Sequence, residues 1–410
     1  MNSLFYLLYF IGIFHASFAL AQTNLSPTSG ISYQLLKKDQ HNIHILSVNP
    51  KYFNLDILKA RNQVIGRETV QSIALRKNAA AAVNASFFEI GGSRDGRPSK
   101  TLVINGKIFA IDRRPQGLLV IDQDRVRIIE ITAEVSIKTP EEEWLTPNQI
   151  NYFSRAAGVT LYTDAWGSTT LTPFNTKEIV IDNNFKVLDI YNHGDNAIPV
   201  GGFVLSFSPS QDLPWVRKGD NLNISLNFID EEEKSVSVHR TSSVVTGIPI
   251  LVKDGKKLDS ENLSSFYKSA HARTAIGLKA DGTIIIVVVE HAYEQSIKDL
   301  TLTQVKNLLS KETNIDFKTL TILKALEILE KRLMNQKIVG LTIPELADLM
   351  VSLDCMSAIN LDGGGSSTMF IGDKVVNNTI GDQDEASGEN IARPVSDAII
   401  VTPKAIEPRS

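Results

Sequence analysis

The stretch Asn360-Leu361-Asp362-Gly363-Gly364-Gly365-Ser366-Ser367-Thr368 puts a carboxylate, three consecutive glycines and a run of hydroxyls at the end of an apolar segment. Without Cβ atoms the turn lets ligand atoms approach the backbone. Free N–H groups in such a turn can form an anion-binding nest. Asp362 at the strand end would project over that turn, and Ser366 adds a donor beside Gly363, Gly364 and Gly365. The bland alternative is a flexible turn with Asp362 as its turn former. The strand–Asp–Gly-Gly-Gly–Ser-Ser–strand order favours a functional loop. A nucleotide P-loop is excluded: no Lys follows the glycines, and a hairpin rather than a helix is expected next.

Three further stretches hold chemistry-capable side chains. Ser269-Ala270-His271-Ala272-Arg273-Thr274 precedes an apolar strand. Arg273 offers a two-pronged fork for phosphate or carboxylate, and His271 a proton carrier or phosphate ligand. Taken alone, His271 reads as a solvated surface residue. Asn84 follows an alanine-rich apolar run and precedes Phe87 and Phe88, for which core packing is the default. A buried Asn must find partners, so it either ties loops together or orients a ligand. Glu290 and His291 end the run TIIIVVV, where ligands often meet sheet ends.

The elements that must position these groups are mostly strands. From Ile31 to about 252 the chain alternates short apolar runs with Gly, Asn and Asp. Asn105-Gly106 and Asp254-Gly255 predict tight hairpin turns. Residues 283–289 predict a central strand buried on both faces. Thr342-Ile343-Pro344-Glu345 has the capping-box form and opens a helix to about 353. Residues 357–361 read as a strand, TMFI with KVV as a hairpin, and 391–402 as a closing strand. The segment 298–338 is rich in Lys, Leu and Glu and predicts two helices, about 303–311 and 317–335, as a surface insertion. Hairpins early and helices late imply an α+β fold of mostly antiparallel or mixed sheets.

The chain has 410 residues and a net charge of −4, with 42 basic against 46 acidic side chains. That near-balance speaks against nucleic acid as a partner. At 43% hydrophobic and 21% charged, the composition is globular and excludes disordered and disulfide-laced classes. Residues 1–21 read as a signal peptide: an apolar core at 4–13, then Ala19-Leu20-Ala21 as a cleavage pattern before Gln22. Residues 22–30 read as a linker, and 31–404 as the working domain, with a β-rich part to about 252 and a motif-bearing part from about 253. No later segment predicts an integral membrane span. The single cysteine, Cys355, cannot form an internal bridge and reads as a buried small hydrophobe. An exported chain without disulfides fits a bacterial periplasmic or secreted protein.

Together VNASFF (83–88), GIPILVKDGK (247–256), HARTAIG (271–277), ELADLMVSLDCMSAINLDGGGSS (345–367) and ARPVSDAIIV (392–401) resemble the phosphodiester glycosidase family. The resemblance runs from about 31 to 403, with INLDGGGSS its most specific element. It implies a site built from Asn84, His271, Arg273, Asp362, Gly363, Gly364 and Arg393, with a sugar-phosphate or glycan substrate and no cofactor. The implied reaction breaks the anomeric C–O bond of a sugar-1-phosphodiester. A phosphomonoester already leaves well, so the chemistry asks for positive charge at the phosphate and negative charge near the oxocarbenium-like sugar. Arg273, Arg393 and the loop amides suit the first task. Asp362 suits the second, as base or nucleophile, with Glu290 as a candidate second carboxylate. Where the family commonly has Asp-Gly-Arg after the central strand, this chain has Glu290-His291-Ala292. A non-catalytic glycan-binding or envelope-structural module is one alternative. A metal-dependent phosphodiesterase using Asp362, His271, His291 and Glu290 is another, although their spacing matches no recognised metal motif.

Overall fold

A computed structural model describes residues 20–21, 30–38, 41–122, 125–152, 158–212, 214, 216–257, 259, 265–290, 292–293, 338–383 and 390–404, with a few positions between 305 and 328. Residues 22–29 of the predicted linker, most of the predicted signal peptide, most of the helices expected at 303–311 and 317–335, and His291 lie outside the described residues.

The fold is α+β and dominated by antiparallel sheets. Nine strands and two helices frame the site: β1 Ile31–Lys38, β2 His41–Val48, β3 Phe53–Lys59, α1 Val70–Leu75, β4 Ala81–Asn84, β5 Arg273–Lys279, β6 Ile284–Val289, α2 Ile343–Ser352, β7 Cys355–Asn360, β8 Met369–Ile371 and β9 Asp397–Pro403. One sheet runs β1-β2-β6-β5-β7 and continues through Ile250–Lys253. A second runs β8-β4-β9-β3. Two more sheets, built from residues between 102 and 247, complete the β-rich part.

The turn signals act as their chemistry dictates. Asn105 and Gly106 have φ of 50° and 79°, Asp254 and Gly255 52° and 71°. Each pair joins two antiparallel strands. β6 is buried at every position, because β5 and β2 flank it and apolar layers cover both faces. On one face Leu46, Ile286, Val288 and Ile359 join a core shared with Ile57, Val83, Met369 and Ile399 of the second sheet. On the other, Ile285, Val287 and Ala358 pack against Leu346, Ala347 and Met350 of α2. That helix has its full capping box: the Thr342 hydroxyl accepts from Glu345 N, and the Glu345 carboxylate accepts from Thr342 N. Cys355 is buried under α2, and burial pushes its thiol up to about 11, so it stays protonated at neutral pH. The closing strand starts at Asp397 rather than 391, because Pro394 has no N–H to give a ladder.

Among the described residues, no helix is long and apolar enough to cross a membrane.

Candidate active site

Antiparallel pairing brings the start of β5, the end of β6 and the end of β7 to one edge of the first sheet. The second sheet delivers the end of β4 and the start of β9 to the same place, since Asn84 pairs with Ala398. Asp362 sits where the two sheets meet. Its N–H donates to Ala85 O at 3.0 Å, and its carbonyl accepts from Asn84 Nδ2 at 2.6 Å.

Asn84 is 1% exposed. Its Oδ1 also accepts from Thr274 Oγ at 2.8 Å and from Thr368 N at 3.2 Å. One amide therefore joins β4, β5 and both ends of the glycine loop. These bonds make Asn84 a tie between the loops. Asn84→Ala would leave the Asp362 carbonyl and Thr368 N–H without their partner. A loss of about 2–4 kcal/mol is expected, measurable as a lower urea midpoint.

The three glycines answer three separate demands. A Cβ on Gly363 would lie 2.9 Å from Ala272 O. Gly364 has φ +62°, the left-handed region, with open space where a side chain would point. A Cβ on Gly365 would lie 2.5–2.8 Å from three atoms of the Arg393 guanidinium. The loop N–H groups are largely engaged within the protein: Gly364 N donates to Ala272 O, Ser366 N to Gly363 O and Ser367 N to Gly364 O. The nest expected from the sequence is thus largely closed by internal bonds, and Arg393 supplies the positive charge at the loop.

Arg393 lies flat against Gly365, held by Nη2 to Gly381 O at 3.0 Å and by Nε to Asp382 at 3.4 Å. Its side chain is a quarter exposed. Across the loop, burial pushes the Asp362 carboxyl up to about 7, and Asp397 adds to the rise. The Ser366 hydroxyl, the Gly363 N–H and the Arg393 charge act in the opposite sense without cancelling it. Asp362 therefore exchanges a proton near neutral pH.

Arg273 is buried, with Nε donating to Leu341 O at 2.9 Å and Nη2 to Ser269 O at 2.8 Å. Among the described residues no carboxylate forms an ion pair with it. Burial pulls it down to about 10, so it keeps its charge at neutral pH. His271 neighbours it, bridged through its backbone to Leu341. Burial, and then the Arg273 charge, lower its proton affinity and favour the neutral imidazole.

Glu290 is 3% exposed and surrounded by donors. Asn42 Nδ2 lies at 2.7 Å, His44 Nε2 at 2.8 Å and Asn378 N at 2.7 Å. His44 in turn meets the Tyr33 hydroxyl at 2.8 Å. Burial acts upward on Glu290, but the bonds from His44, Asn378 and Asn42 outweigh it and hold the carboxyl below its usual range. Glu290 thus anchors the segment that follows β8, where Asn377 Nδ2 reaches Ser367 O at 3.0 Å.

Of the residues singled out from the sequence, Asn84, Asp362, Gly363, Gly364, Gly365, Ser366 and Arg393 gather around one loop. Arg273 and His271 stand beside it on β5 and just ahead of it, and Glu290 acts from beneath. Asp397 and Ser86 belong to the same assembly but were not singled out. The available signal was an acid inside the otherwise apolar SDAIIV, since an unpaired carboxylate rarely enters a core strand.

The geometry agrees with what the sequence matches. The profile described as phosphodiester glycosidase matches residues 175–316 and 330–402, just over half of the chain, and takes in His271, Arg273, Glu290, the glycine loop, Arg393 and Asp397 but not Asn84. An uncharacterized protein of Rickettsia conorii is 46% identical over 283 residues, covering 68% of this chain and 99% of that one. Among solved structures, a hypothetical protein from Synechocystis has the same fold, with a TM-score of 0.65 and 20% identity over 92% of this chain. This chain spans 62% of that protein's length. A Burkholderia pseudomallei protein gives 0.61 and 20% identity, over 91% of this chain and 75% of its own. By the extent of the profile match, the chain belongs to the phosphodiester glycosidase family.

Proposed function

We propose that this protein hydrolyses the glycosidic bond of a sugar-1-phosphodiester, of the N-acetylglucosamine-1-phosphodiester type, in bacterial envelope polysaccharide. The observation that carries this reading is Asp362, with a proton affinity near neutral, facing the Arg393 guanidinium across the side-chain-free Gly365. In the proposed reaction Arg393 pairs with the phosphate, and the buried Arg273, held on Leu341 O and Ser269 O, adds a fixed positive charge. Asp362 takes a proton from water as that water attacks the anomeric carbon. The C1–O bond breaks, its electrons leave with the phosphomonoester, and the sugar departs with the new hydroxyl. The proton on Asp362 is then released to solvent.

The test is sugar release from a GlcNAc-1-phosphodiester by purified protein, followed by chromatography. No release across a panel of sugar-1-phosphodiesters would overturn the reading. Binding of an anionic glycan without turnover would point instead to a glycan-binding module. The reading also includes export, from the apolar segment at 4–13 and the Ala19-Leu20-Ala21 pattern. Intact mass of the protein recovered from the periplasm or medium is expected to show Gln22 as the first residue. Full-length chain confined to the cytoplasm would refute export.

A further inference from the structure

We propose that Asp397 is the second carboxylate of this site, a positioning residue that acts on Asp362 from inside the protein and never meets substrate. The inference rests on the reading of Asp362 as the acid–base group.

Asp397 opens β9 and is 1% exposed. Its Oδ1 accepts from Ser86 N at 2.9 Å, and its Oδ2 takes the Ser86 hydroxyl. The same short segment grips Asp362 from the other side: Asn84 holds its carbonyl and Ala85 its N–H. Three consecutive residues, Asn84 at the end of β4 and then Ala85 and Ser86, thus lock the two acids into one seam. Both donors that meet Asp397 are neutral groups of Ser86. The cation facing it is Lys59, opposite in the β3–β9 register and 2% exposed. The Lys59 ammonium is engaged by backbone carbonyls, Ser396 O at 2.8 Å, Gly96 O at 3.1 Å and Gly66 O at 3.4 Å. Burial pulls Lys59 down to about 8, against the pull of Asp397 and Glu68.

Among the described residues, Arg393 favours the anion of Asp362 and Asp397 opposes it, while Asp397 and Glu68 both act on Lys59. Two carboxylates in one site do not ionise independently; the charge on one holds the proton on the other. Asp397 would thereby keep the basicity of Asp362 in the neutral range, where a base that activates water is most effective.

The experiment is Asp397→Asn in the full chain. An Asn can accept from Ser86 N with its oxygen and donate to the Ser86 hydroxyl with its nitrogen, so both bonds survive and only the charge goes. The readout is the stability difference between Asp362→Asn and its parent as a function of pH, in the presence and absence of the second substitution. The inflection set by Asp362 is expected to fall by at least about half a pH unit, about a threefold loss of proton affinity. The inflection in the pH profile of kcat/KM should move with it. An unmoved inflection overturns the proposal. So does an equal fall in Ser86→Ala, which loosens the seam but keeps the charge. Should Asp397→Asn fail to fold, Asp397→Ser is measured in the same way. The stability readout needs no substrate, so a chain without turnover would count against the hydrolase reading while still deciding the role of Asp397.

Discussion

Asp362→Asn is expected to be inactive and, above pH 7, more stable than the parent. Removing a general base typically costs 10²–10⁴ in rate, so kcat should fall at least a hundredfold with KM little changed. The stability gain follows from linkage. The folded Asp362 titrates at about 7, above its ordinary 3.8. Between those values the folded chain binds more protons than the unfolded one, so this group's contribution falls as pH rises through the window. It is neutral below about 4 and fully unfavourable above about 7. Three pH units correspond to roughly 4 kcal/mol as an upper bound. An Asn does not titrate and escapes the penalty. Denaturant melts at pH 4.5, 6 and 8 should show the variant's advantage growing with pH and levelling above 7. A constant difference would mean that Asp362 titrates as an ordinary surface carboxylate. In the same picture, parent activity rises with pH through about 7, because the anion is the working form.

Gly365→Ala is expected to reproduce most of the loss seen in Arg393→Ala, while Gly364→Ala is expected to spare catalysis. A methyl group at 365 must push the guanidinium aside, because three of its atoms lie within 2.8 Å of the new Cβ. Losing a charge-assisted contact to a developing phosphate anion costs about 10²–10³ in kcat/KM. At 364 there is space but φ is +62°, so the substitution strains the backbone by about 1 kcal/mol without touching Arg393. Steady-state kinetics of the three variants, with circular dichroism to verify folding, separate the two effects. Equal losses at 364 and 365 would indicate that the loop needs flexibility rather than a slot for the arginine. Arg393→Lys should rescue little, since a single ammonium cannot reproduce the planar fork.

The local features of this chain were legible because each depends on neighbours in sequence. Asn105-Gly106 adopts left-handed φ values wherever it sits in the fold, and Thr342 caps its helix using a residue three positions away. The buried β-branched run at 284–289 had to be a covered strand. The glycine loop declared itself by composition, and the family resemblance pointed to Arg393. Nothing in the local sequence shows that the loop's amides are tied up by its own carbonyls and by Ala272. Nor does it show that Glu290 is enclosed by Asn42, His44 and Asn378, which lie 248, 246 and 88 positions away.

By itself, then, the sequence determined the antiparallel α+β character and the turn and cap positions, and it marked Asp362 and the glycine loop as the candidate site. The tertiary structure decided which charges meet. Asp397 lies 35 residues after Asp362, yet only the pairing of β9 with β4 brings it under the loop. The environment of Asp362 arises the same way, from the closing of two sheets over one carboxyl. Proton affinity depends on burial and on charges within a few ångströms, and neither is a property of sequence distance.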